Sequence, residues 1–138
     1  MHITQESDYA VRIVYCLAKS DARRDARSIS EEMCVTLRFS LKILGKLVQS
    51  GLVESYKGNK GGYELSRAPK DITLNDVITA VEGEYRISRC IGAENASECN
   101  RGASSCCTFR KVFSEISAGI NQQLSAVNFA DLIALEKQ

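Results

Sequence analysis

The sequence predicts a mainly helical domain that carries a small β-hairpin and is followed by one long C-terminal helix. Three observations predict it. Apolar residues recur at helical spacing in several short segments. Two short Val/Leu/Tyr-rich runs are joined by the glycine-rich "KGNKGG". From Phe109 onward an apolar stripe continues for about five turns at roughly 3.6 residues per turn.

Each element is justified in order. Ala10, Ile13, Val14, Leu17 and Ala18 follow the spacing of a helix with one buried face, leaving Asp8, Arg12 and Lys19 on the wet side. "DARRDAR" reads as a charged loop. Ser28 followed by Glu31 reads as a capping box opening a second helix through Met33, and Cys34, Val35 and Thr36 then make a tight turn. Thr36 caps a third helix, "LRFSLKILGKLVQS". Its buried stripe is expected to be Phe39, Ile43, Leu44, Leu47 and Val48, with Gly51 as a left-handed C-cap. "LVESY" and "YELS" are the hairpin strands, and Lys57, Asn59 and Lys60 project from its tip. Thr73 caps a fourth helix, "LNDVITAVEG". The final stripe runs through Phe109, Val112, Phe113, Ile116, Ile120, Leu124 and Val127. That is more apolar surface than one layer covers, so a homodimer is expected. The divisions are 1–84, a winged helix-turn-helix domain; 85–107, a cysteine-rich loop; and 108–138, a dimerisation helix with a C-terminal tail.

Three short helices followed by a glycine-rich hairpin are the order of a winged helix-turn-helix, a fold that binds double-stranded DNA. Charge placement agrees. Residues 36–67 hold six basic and two acidic side chains, while the whole chain carries only +1. A local basic excess is what one phosphate-facing surface requires. Long donors on the third helix and at the hairpin tip suit groove and backbone contact, which singles out Thr36, Arg38, Lys42, Lys46, Lys57, Asn59 and Lys60. Leu41 suits contact with a thymine methyl or simple packing.

Four of the six cysteines, Cys90, Cys99, Cys106 and Cys107, fall within eighteen residues. No stretch of about 18 apolar residues exists, and the N-terminus lacks the basic start and apolar run of a signal peptide, so a cytoplasmic protein without membrane attachment is expected. In a reducing compartment clustered thiols point to metal or redox chemistry rather than to disulfides. A loop with Gly92 and Gly102 lets thiolates converge, as an iron–sulfur cluster demands. Zinc is disfavoured because no C-x₂-C pair is present. A thiol oxidoreductase is disfavoured because no Cys-x-x-Cys lies near a βαβ pattern and His2, the only histidine, has no nucleophile partner. Cys16 and Cys34 lie beside apolar faces and are expected to be buried and inert.

"ILGKLVQSGLVESYKGNKGGYELSRAPKDITLNDVITAVEG" closely resembles the core of the IscR/NsrR/RirA family of bacterial winged-helix regulators, the Rrf-two family. The likeness runs from "SDYAVRIVYCLA" to "NFADLI". The resemblance implies a homodimeric transcription regulator acting on a palindromic operator. It also implies a three-cysteine cluster site ahead of the dimerisation helix. Cys90 and Cys99 take the first two places. Counting back six residues from Phe113 reaches Cys107 as the third, with Cys106 the alternative, and Arg110 stands where IscR has His. NsrR-like relatives complete a 4Fe-4S cluster with a carboxylate of the other subunit, and Asp8 matches that position; a first-turn acid favouring the helix dipole is the simpler account of Asp8. A 2Fe-2S cluster would accept the same ligands. Two departures stand out: Cys34 replaces the usual Gly of the turn, and Leu41 replaces a base-reading Glu. The competing expectation is a cluster-free or thiol-switch regulator of the same fold.

Overall fold

The computed structural model describes residues 2–91, 99 and 107–137. Side-chain caps set where its helices begin. Thr4 accepts from the Ser7 amide at 3.2 Å and opens α1, Gln5–Ala18. Asp25 accepts from the Ser28 amide at 3.0 Å and opens α2, Ala26–Met33. Thr36 opens α3, Leu37–Gln49, and Thr73 opens α4, Leu74–Glu82, through a reciprocal capping box with Asp76. Each such cap contributes about 1 kcal/mol by satisfying an otherwise orphaned amide. The Ser28 box expected from the sequence is not the start of α2. Asp25, three residues earlier, takes the amide of Ser28, which holds the Asp25 carboxyl below its ordinary value and begins the helix at Ala26.

The helices converge on one core. Ala10, Ile13, Val14 and Leu17 of α1 meet Ile29 of α2, Ile43, Leu44 and Leu47 of α3, and Val77 and Val81 of α4. α1 therefore lies at the centre, against α2, α3 and α4. In α3 the inward phase is Ser40, Ile43, Leu44 and Leu47, so Phe39 is displaced from the expected stripe and is 40% exposed. It leans edge-on against Tyr9, ring centroids 5.9 Å apart.

Strands β1, Val53–Tyr56, and β2, Gly62–Leu65, form an antiparallel hairpin with Val53 opposite Leu65 and Tyr56 opposite Gly62. The "DARRDAR" segment is more than a loop. Arg24 exchanges both backbone hydrogen bonds with Tyr63, at 3.0 and 2.8 Å, and adds a rung to the hairpin's outer edge. Gly62 is required there: a Cβ would stand 2.8 Å from the Arg24 carbonyl oxygen, and its φ is +134°.

The turn between α2 and α3 differs from expectation at Cys34. Val35 is buried, whereas Cys34 is exposed and left-handed, with φ 54°. A Cβ in that region costs roughly 1–2 kcal/mol, so the position favours glycine. Cys16 is fully buried as expected, and burial pushes its thiol pKa up.

The C-terminal stripe is broken. Helix α5, Thr108–Ser125, ends short of Val127, and Asn128 caps a further helix, α6, Phe129–Glu136, where the sequence suggested a tail. The break is held by backbone pairing. The Leu74 amide donates to Val127 at 2.9 Å and the Phe129 amide to Ile72 at 3.1 Å, which places the Phe129 ring, 0% exposed, in the core. No described helix is long and apolar enough to cross a membrane.

Candidate nucleic-acid interface and cysteine segment

The exposed face of α3 is set by the buried one. With Ser40, Ile43, Leu44 and Leu47 inward, Arg38, Leu41, Lys42 and Gly45 fall on the solvent side. Thr36, at the helix start, accepts from the Phe39 amide and keeps its hydroxyl proton free to donate outward. A helix N-terminus favours anions through its unpaired amides and dipole, so this end suits a phosphate. Lys42 stands 3.4 Å from Glu6 and 5.9 Å from the Phe39 ring centroid, and its side chain is more than half exposed.

Lys46 differs from the other basic residues of α3. Its ammonium lies 2.7 Å from Glu6 and donates to the Val81 carbonyl at 2.9 Å. The hydrogen bond from Lys46 holds the Glu6 carboxyl below its ordinary value, against the opposing effect of burial.

At the hairpin, Lys57, Asn59 and Lys60 are all exposed. The tip is folded tightly, with the Gly61 amide donating to Gly58 at 2.9 Å; a Cβ on Gly61 would collide with the Tyr56 carbonyl oxygen. Arg23, not singled out from the sequence, braces this tip. Its guanidinium stacks 3.4 Å from the Tyr56 ring centroid, pairs with Glu64 at 3.3 Å and donates to the Lys60 carbonyl at 3.5 Å. Arg23 lies 33 residues before Tyr56, so no local sequence signal marks the contact. Tyr56 itself donates to Glu54, which pushes its hydroxyl up to about 12 and keeps it protonated. Among the described residues Arg38, Lys57 and Lys60 form no side-chain ion pair.

The cysteines lie apart from this surface in sequence, between α4 and α5. Cys90 is half-buried with Sγ 3.2 Å from the Ser88 hydroxyl. Cys99 is half-buried, and Cys107 occupies the cap position of α5 without a side-chain cap bond. Cys106 lies outside the described residues. Soft thiolates suit an iron–sulfur cluster in donor chemistry. Among the described residues no three His, Cys, Asp or Glu side chains gather as a ligand set. Asp8 is paired with Arg12 at 2.6 Å.

The family model described as iron-dependent transcriptional regulator, Rrf2, matches residues 3–135. The chain belongs to the Rrf2 family. That family is one of transcription regulators, not of enzymes, and DNA binding is its mode of action. Among relatives of this Rrf2 chain, the HTH-type transcriptional regulator IscR of Yersinia pseudotuberculosis is 29% identical over 135 residues, covering 96% of this chain and 79% of the relative. Protein aau3 of Rhizobium meliloti (strain 1021) is 35% identical over 94 residues, covering 67% of this chain and 61% of that protein. Among solved structures, IscR of T. potens superposes with a TM-score of 0.77 at 22% identity, covering 97% of this chain and 87% of that one. CymR (YrzC), the global cysteine regulator of B. subtilis, superposes at 0.75 with 23% identity and 98% of both chains covered. These superpositions establish the winged-helix fold of the chain, mostly helical with a two-stranded antiparallel hairpin.

Proposed function

We propose that the chain is a cytoplasmic homodimeric regulator that sets α3 in the major groove of a palindromic operator and the β1–β2 tip in the adjacent minor groove. An iron–sulfur cluster held by Cys90, Cys99 and Cys107 controls it. The observation that carries the DNA reading is the pair of exposed basic surfaces, Arg38 with Lys42 on α3 and Lys57 with Lys60 on the hairpin, mounted on one buried core. Thr36 and Asn59 add neutral donors, and Leu41 offers an apolar contact to a thymine methyl. Lys46 is left out of this contact set, because its ammonium is engaged internally.

The dimer reading is supported by the exposed apolar side of α5, where Phe109, Val112, Phe113 and Ile116 face outward. The cluster reading is supported by the family's iron dependence and by three thiols in the segment that joins α4 to α5. When bound, a cluster supplies iron–sulfur bonds that oxidants, nitric oxide or iron shortage break. Asp8 of the partner subunit would complete a 4Fe-4S set, its Oδ2 being the oxygen paired with Arg12; a 2Fe-2S cluster is the other nuclearity these residues accept. A second reading keeps the fold and the DNA binding without iron, with the thiols of Cys99, Cys106 and Cys107 as a redox switch.

One preparation separates the two. Protein purified without oxygen is assayed for iron and acid-labile sulfide per dimer, with its absorption spectrum. Stoichiometric iron and sulfide support the cluster; neither, after attempted reconstitution, supports the thiol switch. The DNA reading is tested by replacing Lys57 and Lys60 with Ala and measuring affinity against salt. The expected result is weaker binding and a slope of log K against log salt that flattens by roughly 0.9 per lost phosphate contact. An unchanged slope removes the hairpin from the interface.

A further inference from the structure

Of the three basic residues of α3, Arg38 and Lys42 are exposed and Lys46 is half-buried. The Lys46 ammonium reaches two other helices: Glu6 in the first turn of α1 at 2.7 Å and the Val81 carbonyl in the last turn of α4 at 2.9 Å. The same two helix ends are joined a second time, since the hydroxyls of Thr4 and Ser7 both donate to the Glu82 carboxylate. The start of α1, the end of α4 and the C-terminal half of α3 thus form one polar clasp at the edge of the apolar core. Charge-assisted hydrogen bonds in a half-buried setting are short and directional, so they specify an orientation that apolar packing alone leaves loose.

We propose that Glu6 and Lys46 are positioning residues for DNA recognition: their clasp fixes the angle of α3 against α1 and α4, and Lys46 itself touches no DNA. This rests on the reading that α3 enters the DNA groove. It makes an unusual demand on electrostatics. Glu6 is a negative charge beside the basic face of α3, 3.4 Å from Lys42 and 2.7 Å from Lys46. If it served only as a neighbouring charge, its removal would strengthen attraction to phosphates and free two lysines. As a positioning residue its removal weakens binding.

The test uses the full chain and a duplex that the wild-type protein selects from a random-sequence pool. Wild type, Glu6→Gln, Lys46→Met and the double variant are titrated at several salt concentrations, with the folded fraction of each measured by circular dichroism and used to correct its active concentration. The expected result is about tenfold weaker binding for each single variant, on the scale of a lost charge-assisted hydrogen bond. The double variant should be no weaker than either single one, because both break the same clasp. The salt slope stays at its wild-type value. A purely structural role would leave the corrected affinities unchanged and overturn the proposal. So would tighter binding by Glu6→Gln, or a slope lowered by about 0.9 in Lys46→Met, which would put Lys46 on a phosphate. A wild-type protein that enriches no duplex overturns the DNA reading of α3 and the proposal together.

Discussion

Helices α5 and α6 both carry apolar residues at helical spacing, and the fold treats them in opposite ways. α6 inserts Phe129 into the core with no exposure and is held there by backbone pairing between Ile72–Leu74 and Val127–Phe129. α5 attaches to its own chain through polar groups instead. The Ser117 hydroxyl accepts from the Ile87 amide at 3.0 Å, and the Asn121 amide donates to the Tyr85 carbonyl at 3.0 Å. The apolar side of α5 is left outside, with Phe109 63% exposed. A helix that spends its polar side on its own chain and leaves its apolar side exposed has the form that the proposed dimer requires. Periodicity alone does not distinguish the two cases, because it says that a face will be buried but not against what.

The sharpest way to break this comparison is Phe129→Ala. If α6 is part of the core, the loss is about 3–5 kcal/mol, the range for truncating a buried phenylalanine, read from urea unfolding. A change below about 1 kcal/mol would make α6 a peripheral tail after all.

Next is Ile116→Glu on α5. Exposed in the single chain, Ile116 makes little demand on the fold of one subunit. Buried between two copies, an unpaired carboxylate there is costly, so the dimer dissociation constant should rise at least about a hundredfold. Sedimentation at micromolar concentration would show monomer for the variant and dimer for the wild type. Equal masses would mean that the stripe serves some other partner.

The smallest expected effect sharpens the same logic on α3. Gly45 lies on the exposed face within the helix, and nothing stands within 4 Å of where its Cβ would be. Among the described residues no contact requires glycine, although it weakens a helix by roughly 0.5–1 kcal/mol relative to alanine. Close approach of a DNA backbone is the requirement we assign to it. Gly45→Ala should therefore raise the unfolding free energy by that amount and lower DNA affinity. Affinity equal to wild type would place the groove contact elsewhere on α3.

Much of the N-terminal module was legible because its signals are local. Thr36 and Thr73 cap the helices they were read to cap, the glycine-rich hairpin forms where its strands were read, and Gly51 is left-handed with φ 78°. A cap or a tight turn is decided within three or four residues, so its chemistry is visible in a short string. The misreadings share a different cause. Asp25 and Ser28 both satisfy the rule for a cap, and only the actual path of the backbone chose the first. Phe39 and Ser40 are adjacent, and the rotation of α3 against α1 decided which one turned inward. The exposure of Cys34 follows from its left-handed backbone, a conformation that its residue type does not announce.

For the candidate site the division is similar. The sequence by itself determined the residue chemistry: a basic excess confined to 36–67, a glycine-rich hairpin tip, and thiols concentrated between Cys90 and Cys107. Only the tertiary structure decided which of those basic groups face outward, since Lys42 and Lys46 are one helical turn apart and equal as sequence. Lys46 is drawn inward because Glu6 and Val81, forty residues before it and thirty-five after it, stand within reach of its ammonium. Such long-range pairing has no periodicity to betray it. It arises when separate helices pack and bring Glu6 and the Val81 carbonyl to the Lys46 ammonium.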